Sequence, residues 1–335
     1  MYDNSKYAYI VGRLRALETK MLNPGMLERL IDAPGASEVF RALNDLPLLI
    51  GSLDDYEVQD FGKVLTNSLQ NMKELLVRMA PYPEVLNFLW YKYDFHNLKV
   101  SLKAKVTGQG YEEVNHALTG LGTIGLEAWQ GFVLEDKPVP LTKQIDKKIG
   151  QIKEFYEKDA DPQIINVVVD RHYLETLKGI ADGMGSPMID TYLKRLIDFS
   201  NLRAFIRVME LKKDRAMLEK LLLPGGFVKT DLYLNSFERG YDELRQALER
   251  PIGSDDLSVA LEKFMEEKTL IAAEKQAYKL QQDFMAKSNT ITFGPEPVFS
   301  FFWRFENHML ILRAILVGKL NGLPNELISD HMLAL

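Results

Sequence analysis

Asp94-Phe95-His96-Asn97-Leu98-Lys99 returns as Asp198-Phe199-Ser200-Asn201-Leu202-Arg203, 104 positions further along a chain of 335 residues. The flanks hold the same register: Pro83 meets Pro187, Val85 meets Ile189, Leu89 meets Leu193 and Lys103 meets Arg207. A weaker third copy lies another 108 positions on, with Pro295 for Pro187, Phe301 for Leu193, Glu306 for Asp198 and Leu310 for Leu202. In every copy a proline precedes the acid by eleven positions. The third departs at Ile311 and Ile315, where the others carry a base, and places Arg313 nearby instead.

Each copy reads as a helix ended by a Gly/Pro cluster, then a longer helix opened by proline, whose ring presets φ near about −65°. On the longer helix Leu89, Phe95, Leu98 and Leu102 line one side, as do Leu193, Phe199, Leu202 and Ile206 in the second copy. The acid and the base stand five positions apart, too far round the helix for an i,i+4 pair. The acid is therefore expected to hold a group on a neighbouring helix. A Gly-bearing turn follows, Leu118-Thr119-Gly120-Leu121-Gly122 in one copy and Leu221-Leu222-Leu223-Pro224-Gly225-Gly226 in the next. Leu30-Ile31-Asp32-Ala33-Pro34-Gly35 has the same form, so the repeats begin and end out of phase with the termini.

Helical spacing governs the rest. Ile10, Val11, Leu14, Leu17 and Met21 recur every three or four residues, as do Phe61, Leu65, Leu69, Met72, Leu76 and Met79. Two further runs span Leu257 to Phe284 and Val298 to Leu320. Ile164 to Val169 is β-branched, but it follows Asp161-Pro162, a helix start, and leads into the helical Tyr173, Leu174, Leu177 pattern. The reading is all-α. A period near 105 is too long for helical solenoids, whose units run from 34 to about 47 residues. It points to three helical units (1–120, 121–225 and 226–335) around a pseudo-threefold axis, with a central hollow or funnel.

Composition narrows the function. With no cysteine there is no disulfide, thiolate metal site or thiol nucleophile, and a reducing compartment is the expected setting. Forty-one Lys and Arg against 47 Asp and Glu give a net charge of −6, the wrong sign for a general nucleic-acid binder. The most apolar late helix, Met309 to Val317, is interrupted by Arg313, whereas a membrane span needs about 20 apolar residues. Asp3, Lys6, Arg13, Arg15 and Glu18 break up any signal-peptide core. A soluble, intracellular chain is expected, tied to a membrane only through a partner.

Chemistry-bearing motifs are missing or incomplete. None of the five histidines (His96, His116, His172, His308, His331) pairs with another at i,i+4, so a helix-borne zinc site has no support. His96 and His308 hold equivalent repeat positions and read as partly exposed helix residues rather than a polar ring. Asp54-Asp55-Tyr56-Glu57 and Asp255-Asp256 resemble fragments of DDxxD magnesium-diphosphate motifs but read better as acids at helix N-termini. Gly120-Leu121-Gly122-Thr123-Ile124-Gly125 spells GxGxxG, yet it follows no strand and reads as a turn. Gly318-Lys319 lies in a helix tail without a phosphate-binding loop. Lys143 to Lys153 is expected as the solvated face of a helix. Trp90, Tyr91, Tyr93 and Phe95, like Phe301, Phe302, Trp303 and Phe305, are read as core ahead of a protein-binding surface. No catalytic, cofactor or metal residue is identified.

Three D-F-x-N-L-[KR]-type helices, the Leu-rich Pro-Gly turns and the closing Glu306, Arg313, Gly318-Lys319, Gly322-Leu323-Pro324 segment together resemble the C subunits of the archaeal and bacterial V-type (A-type) ATPases, counterparts of the eukaryotic d subunit. Tyr7-Ala8-Tyr9-Ile10-Val11-Gly12-Arg13-Leu14-Arg15-Ala16-Leu17 is similar to that family's start, and Asp170-Arg171-His172-Tyr173-Leu174 to a segment in its middle. The resemblance covers essentially the whole chain. It implies a non-catalytic, funnel-shaped rotor component on the cytoplasmic face of the membrane proteolipid ring, receiving the central shaft (the D and F subunits) in its mouth. It implies structural roles for Pro83, Asp94, Asn97, Lys99, Pro187, Asp198, Asn201, Arg203, Pro295, Glu306 and Arg313. Pro34, Gly35, Leu223, Pro224, Gly225 and Phe227 are the candidate ring or shaft contacts, with plain helix caps as the competing reading. An unrelated helical adaptor and an all-α diphosphate-using enzyme are the alternatives.

Overall fold

A computed structural model of the chain describes residues 2–46, 55–142, 145–159 and 163–332. Most of these residues are helical, and no strand occurs among them. In chain order the helices are α1 (Ala8–Glu18), α2 (Pro24–Asp32), α3 (Ala36–Ala42), α4 (Phe61–Met79), α5 (Asn87–Thr107), α6 (Tyr111–Val114), α7 (Leu126–Glu135), α8 (Ile145–Asp159) and α9 (Gln163–Met184). They continue as α10 (Pro187–Glu210), α11 (Arg215–Leu221), α12 (Thr230–Ser236), α13 (Tyr241–Leu248), α14 (Asp255–Glu267), α15 (Leu270–Ala286), α16 (Glu296–Leu320) and α17 (Asn325–Met332). The all-α expectation holds.

Local chemistry sets the ends. Asn23, Ser186, Asp214 and Thr269 each accept a backbone N–H from the first turn of α2, α10, α11 and α15, meeting donors that a helix start leaves unpaired. Pro187 opens α10 as expected. Pro83 instead opens a short 3-10 turn, Pro83–Leu86, that leads into α5, and Pro295 sits at the N-cap of α16. Gly108 ends α5 at φ +73°, a left-handed geometry that glycine adopts without penalty, and the Gln109 N–H reaches back to the Ala104 carbonyl at 2.9 Å.

The chain divides into two compact units, Tyr82–Glu238 and Tyr2–Pro81 with Arg239–Leu335. In the first, α5 packs on α7 and α9, and α9 also packs on α8 and α10. Its core joins Phe95, Leu98 and Leu102 of α5 to Trp129 and Phe132 of α7, Ile145, Ile149 and Ile152 of α8, and Ile165 and Val169 of α9. The β-branched Ile164–Val169 stretch is indeed helical, because one side of it packs into this core. Its proposed start, Asp161-Pro162, lies outside the described residues. In α8 the isoleucines turn inward and Asp146 and Lys147 outward, as the solvated-face reading of Lys143 to Lys153 has it; Lys143, Gln144 and the side chain of Lys153 lie outside the described residues.

In the second unit α16 packs against α1, α3, α4 and α17, while α14 pairs with α15. Leu257 to Phe284, read as one helical run, is two helices. Lys268 adopts φ +56° and Thr269 caps α15, so the chain turns between them. The aromatic clusters are mostly core: Trp90, Phe95, Phe301, Phe302 and Phe305 are buried, and Trp303 stacks on Tyr278 with centroids 5.6 Å apart.

Candidate functional site

The repeated motif builds the same device twice within the first unit. Asp94, fully buried on α5, accepts the N–H groups of Thr123 at 2.7 Å and Ile124 at 3.1 Å. Asp198, buried on α10, accepts those of Phe227 at 2.9 Å and Val228 at 3.2 Å. One turn on, Asn97 takes the Thr119 N–H at 2.9 Å and donates to the Thr119 carbonyl at 2.8 Å. Asn201 does the same to Leu223, at 2.8 Å both ways. An asparagine amide carries a donor and an acceptor side by side, so it substitutes for a missing peptide neighbour.

The acid therefore holds the backbone of a glycine turn, not a group on a neighbouring helix as its spacing from the base implied. The physical reason is the turn itself: its N–H groups have no helical partner, and buried backbone donors are nearly always paired. Gly122 and Gly226 make this possible. A Cβ on either would overlap the carboxylate of Asp94 or Asp198 respectively. The letters GxGxxG thus mark a turn wrapped round a protein carboxylate.

The two clamps differ in their supporting groups. Thr123 adds its hydroxyl to Asp94 at 2.7 Å. Phe227 occupies the corresponding place in the second copy and has no hydroxyl, and there Arg195 lies close enough to favour the charged acid. Burial nonetheless prevails and pushes Asp198 up to about 6, against the pull of two N–H groups and Arg195.

The first motif base is engaged away from its clamp. Lys99 reaches Asp170 on α9 at 2.6 Å, and Arg203 is exposed. In the second unit Glu306 is half-buried on α16, and a buried Met309 stands where the other copies carry Asn. Arg313 is exposed and lies over the Phe61 ring at 6.0 Å. Lys319 makes the tie there, donating to the Ala33 carbonyl at 2.7 Å and to Asn325 at 2.8 Å. That bond fastens the Pro34-Gly35 turn to the end of α16.

Of the candidate contacts, Pro34, Pro224 and Gly225 are exposed and Gly35 and Phe227 half-buried, whereas Leu223 is 9% exposed and clamped by Asn201. Pro34-Gly35 links α2 to α3, with Gly35 at the N-cap of α3. Asp255 and Asp256 do stand in the first turn of α14. Asp54 lies outside the described residues, and Asp55 precedes the next helical turn, which Glu57 and Asp60 cap instead. Among the described residues no group of three or more His, Asp or Glu side chains converges on a metal position. His96 is exposed and contacts the Ala117 carbonyl at 2.9 Å, while burial beside Arg304 pushes His308 down to about 4.

Sequence reading missed the clamping role of the asparagines and the bond from Lys319 to Ala33. One signal was present: both acids precede their glycines, Gly122 and Gly226, by the same interval.

Known proteins align with this chain. The chain is 24% identical to the C subunit of the V-type sodium ATPase of Enterococcus hirae over 323 residues, 95% of each chain. It is 25% identical to the C subunit of the A-type ATP synthase of Methanocaldococcus jannaschii over 352 aligned positions, 99% of this chain and 88% of the relative. It is 23% identical to the C subunit of the V-type ATP synthase of Thermus thermophilus over 208 residues, 60% of this chain and 63% of that protein. The model of the ATP synthase (C/AC39) subunit family matches residues 10–331, and with that span the chain belongs to this family.

Proposed function

We propose that the chain is a non-catalytic rotor component of a V/A-type ATPase, linking the central shaft (the D and F subunits) to the membrane proteolipid ring and carrying torque between them. The observation that carries this reading is the family match over residues 10–331. The clamps support it. A torque element has to resist deformation, and turns tied to buried acids and asparagines are stiffer than free loops, which are the mobile parts of most folds. On this reading three helical units, 1–120, 121–225 and 226–335, surround a pseudo-threefold funnel.

The protein is peripheral and faces the cytoplasm. No helix among the described residues is long and apolar enough to cross a membrane, so the ring has to be met at its surface. Each of two partner surfaces buries about 1,600 Å² if of standard size. Pro34, Pro224 and Gly225 are exposed on their turns and are the better contact candidates; Leu223, being buried, would disturb the fold if charged.

Purification of the tagged chain from detergent-solubilised membranes tests the reading. The shaft proteins D and F and the ring should co-purify, and vesicles depleted of the chain should retain ATP hydrolysis in the catalytic head while losing ATP-driven ion transport. Full transport without the chain, or no shaft and ring in the eluate, refutes it.

A further inference from the structure

The repeat helices α5, α10 and α16 end in the same turn. The Gln109, Lys213 and Leu323 N–H groups reach back to the Ala104, Val208 and Gly318 carbonyls at 2.9, 3.0 and 2.9 Å. The residue before each is left-handed: Gly108 at φ +73°, Lys212 at +50° and Gly322 at +66°. Glycine takes that conformation without penalty, whereas the Cβ of any other residue crowds the backbone. The second copy therefore keeps a lysine where its counterparts use glycine.

The neighbours share its charge. From Arg203 to Arg215 the chain carries five bases against two acids, opposite in sign to its overall −6. Arg203, Arg207, Lys212, Lys213 and Arg215 are all exposed. Of the acids, Asp214 is engaged by the Met217 N–H at 2.9 Å. The matching corners, Thr107-Gly108-Gln109-Gly110 and Asn321-Gly322-Leu323-Pro324, hold no charged residue. Backbone strain of this kind persists where something else offsets it, and what lysine adds over glycine here is a charge.

Glu210 to Ala216 are exposed without a break, and Leu211 among them is 61% exposed. A protein interface of standard size buries about 800 Å² on each side around an apolar centre, which a single leucine does not supply. A bilayer surface needs no such centre: anionic headgroups attract clustered Lys and Arg, and an apolar side chain among them enters the interface.

We propose that the α10–α11 corner rests on an anionic bilayer surface, with Arg207, Lys212, Lys213 and Arg215 facing the headgroup phosphates and Leu211 entering the interface. The inference rests on the reading of the chain as a peripheral component of a membrane complex, and it adds lipid as a direct contact.

Flotation of the full chain with vesicles tests it. Vesicles of equal parts phosphatidylcholine and phosphatidylglycerol should bind at least tenfold more tightly than phosphatidylcholine alone, and added salt should erase the difference. Lys212→Gly should weaken binding about fivefold, the effect of one base at such a surface, while its urea midpoint stays level or rises because the strain is relieved. Equal binding to both vesicles, or equal binding by Lys212→Gly and the wild type, overturns the proposal. Retention on immobilised polyglutamate without vesicle binding assigns the corner to an acidic protein segment and overturns it as well. Co-purification of shaft and ring without vesicle binding refutes the bilayer contact alone; vesicle binding without shaft or ring refutes the rotor reading alone.

Discussion

The carboxylate of Asp198 occupies the space where a side chain on Gly226 would begin. Asp94 stands in the same relation to Gly122. Helix and turn are fitted at single-atom tolerance in both places, and the acid cannot retreat without releasing two backbone N–H groups.

Gly226→Ala and Gly122→Ala should each destabilise the chain by about 2–3 kcal/mol, combining overpacking with weakened buried hydrogen bonds. Gly179, with nothing within 4 Å of a built Cβ, lies inside α9, and its change to Ala should be neutral or stabilising by up to about 1 kcal/mol. Urea unfolding midpoints check all three. Equal effects at Gly226 and Gly179 would show that the clamp geometry carries no energy.

Asn201→Ala removes both bonds to Leu223 and leaves a buried N–H and a buried C=O unpaired. At roughly 1–3 kcal/mol for each of the two unsatisfied groups, a loss of about 2–6 kcal/mol is expected. Asn97→Ala should cost less, because water can reach the half-buried Thr119. Hydrogen exchange at the Leu223 amide should accelerate in the first variant, and unaltered protection there would contradict the assignment.

Asp198 is raised from 3.8 to about 6 by burial. The folded state therefore binds this proton more tightly than the unfolded chain does. The contribution is complete below pH 3.8 and is lost as pH rises through 6, by up to about 3 kcal/mol. Asp198→Asn should remove that downward slope in a series of urea midpoints from pH 4 to 7, and an identical slope in variant and wild type would refute it.

His308 runs the other way. Burial, with Arg304 adding to it, lowers the imidazole from 6.5 to about 4, so the folded state favours the neutral ring. Its contribution is present above pH 6.5 and is lost as pH falls toward 4, again by up to about 3 kcal/mol. The imidazole proton resonances should titrate near 4, and His308→Gln should lose less stability on acidification than the wild type. A midpoint near 6.5 would show the ring to be freely solvated.

Apolar residues three and four positions apart, with Pro and Gly between the runs, were enough to determine that the chain is helical. The 104-residue interval was enough to mark Asp94 and Asp198, Asn97 and Asn201, as equivalent, because helical periodicity and repetition are properties of order along the chain. What Asp94 and Asn97 hold lies more than twenty residues away, and only folding decides which backbone groups arrive without partners. Helix spacing pointed to a neighbouring helix; the tertiary structure supplied a glycine turn, because a turn has N–H groups to satisfy and a helix interior has none. The break at Lys268-Thr269 was hidden for a related reason: apolar spacing continues across it, and the reversal depends on α14 and α15 packing against each other.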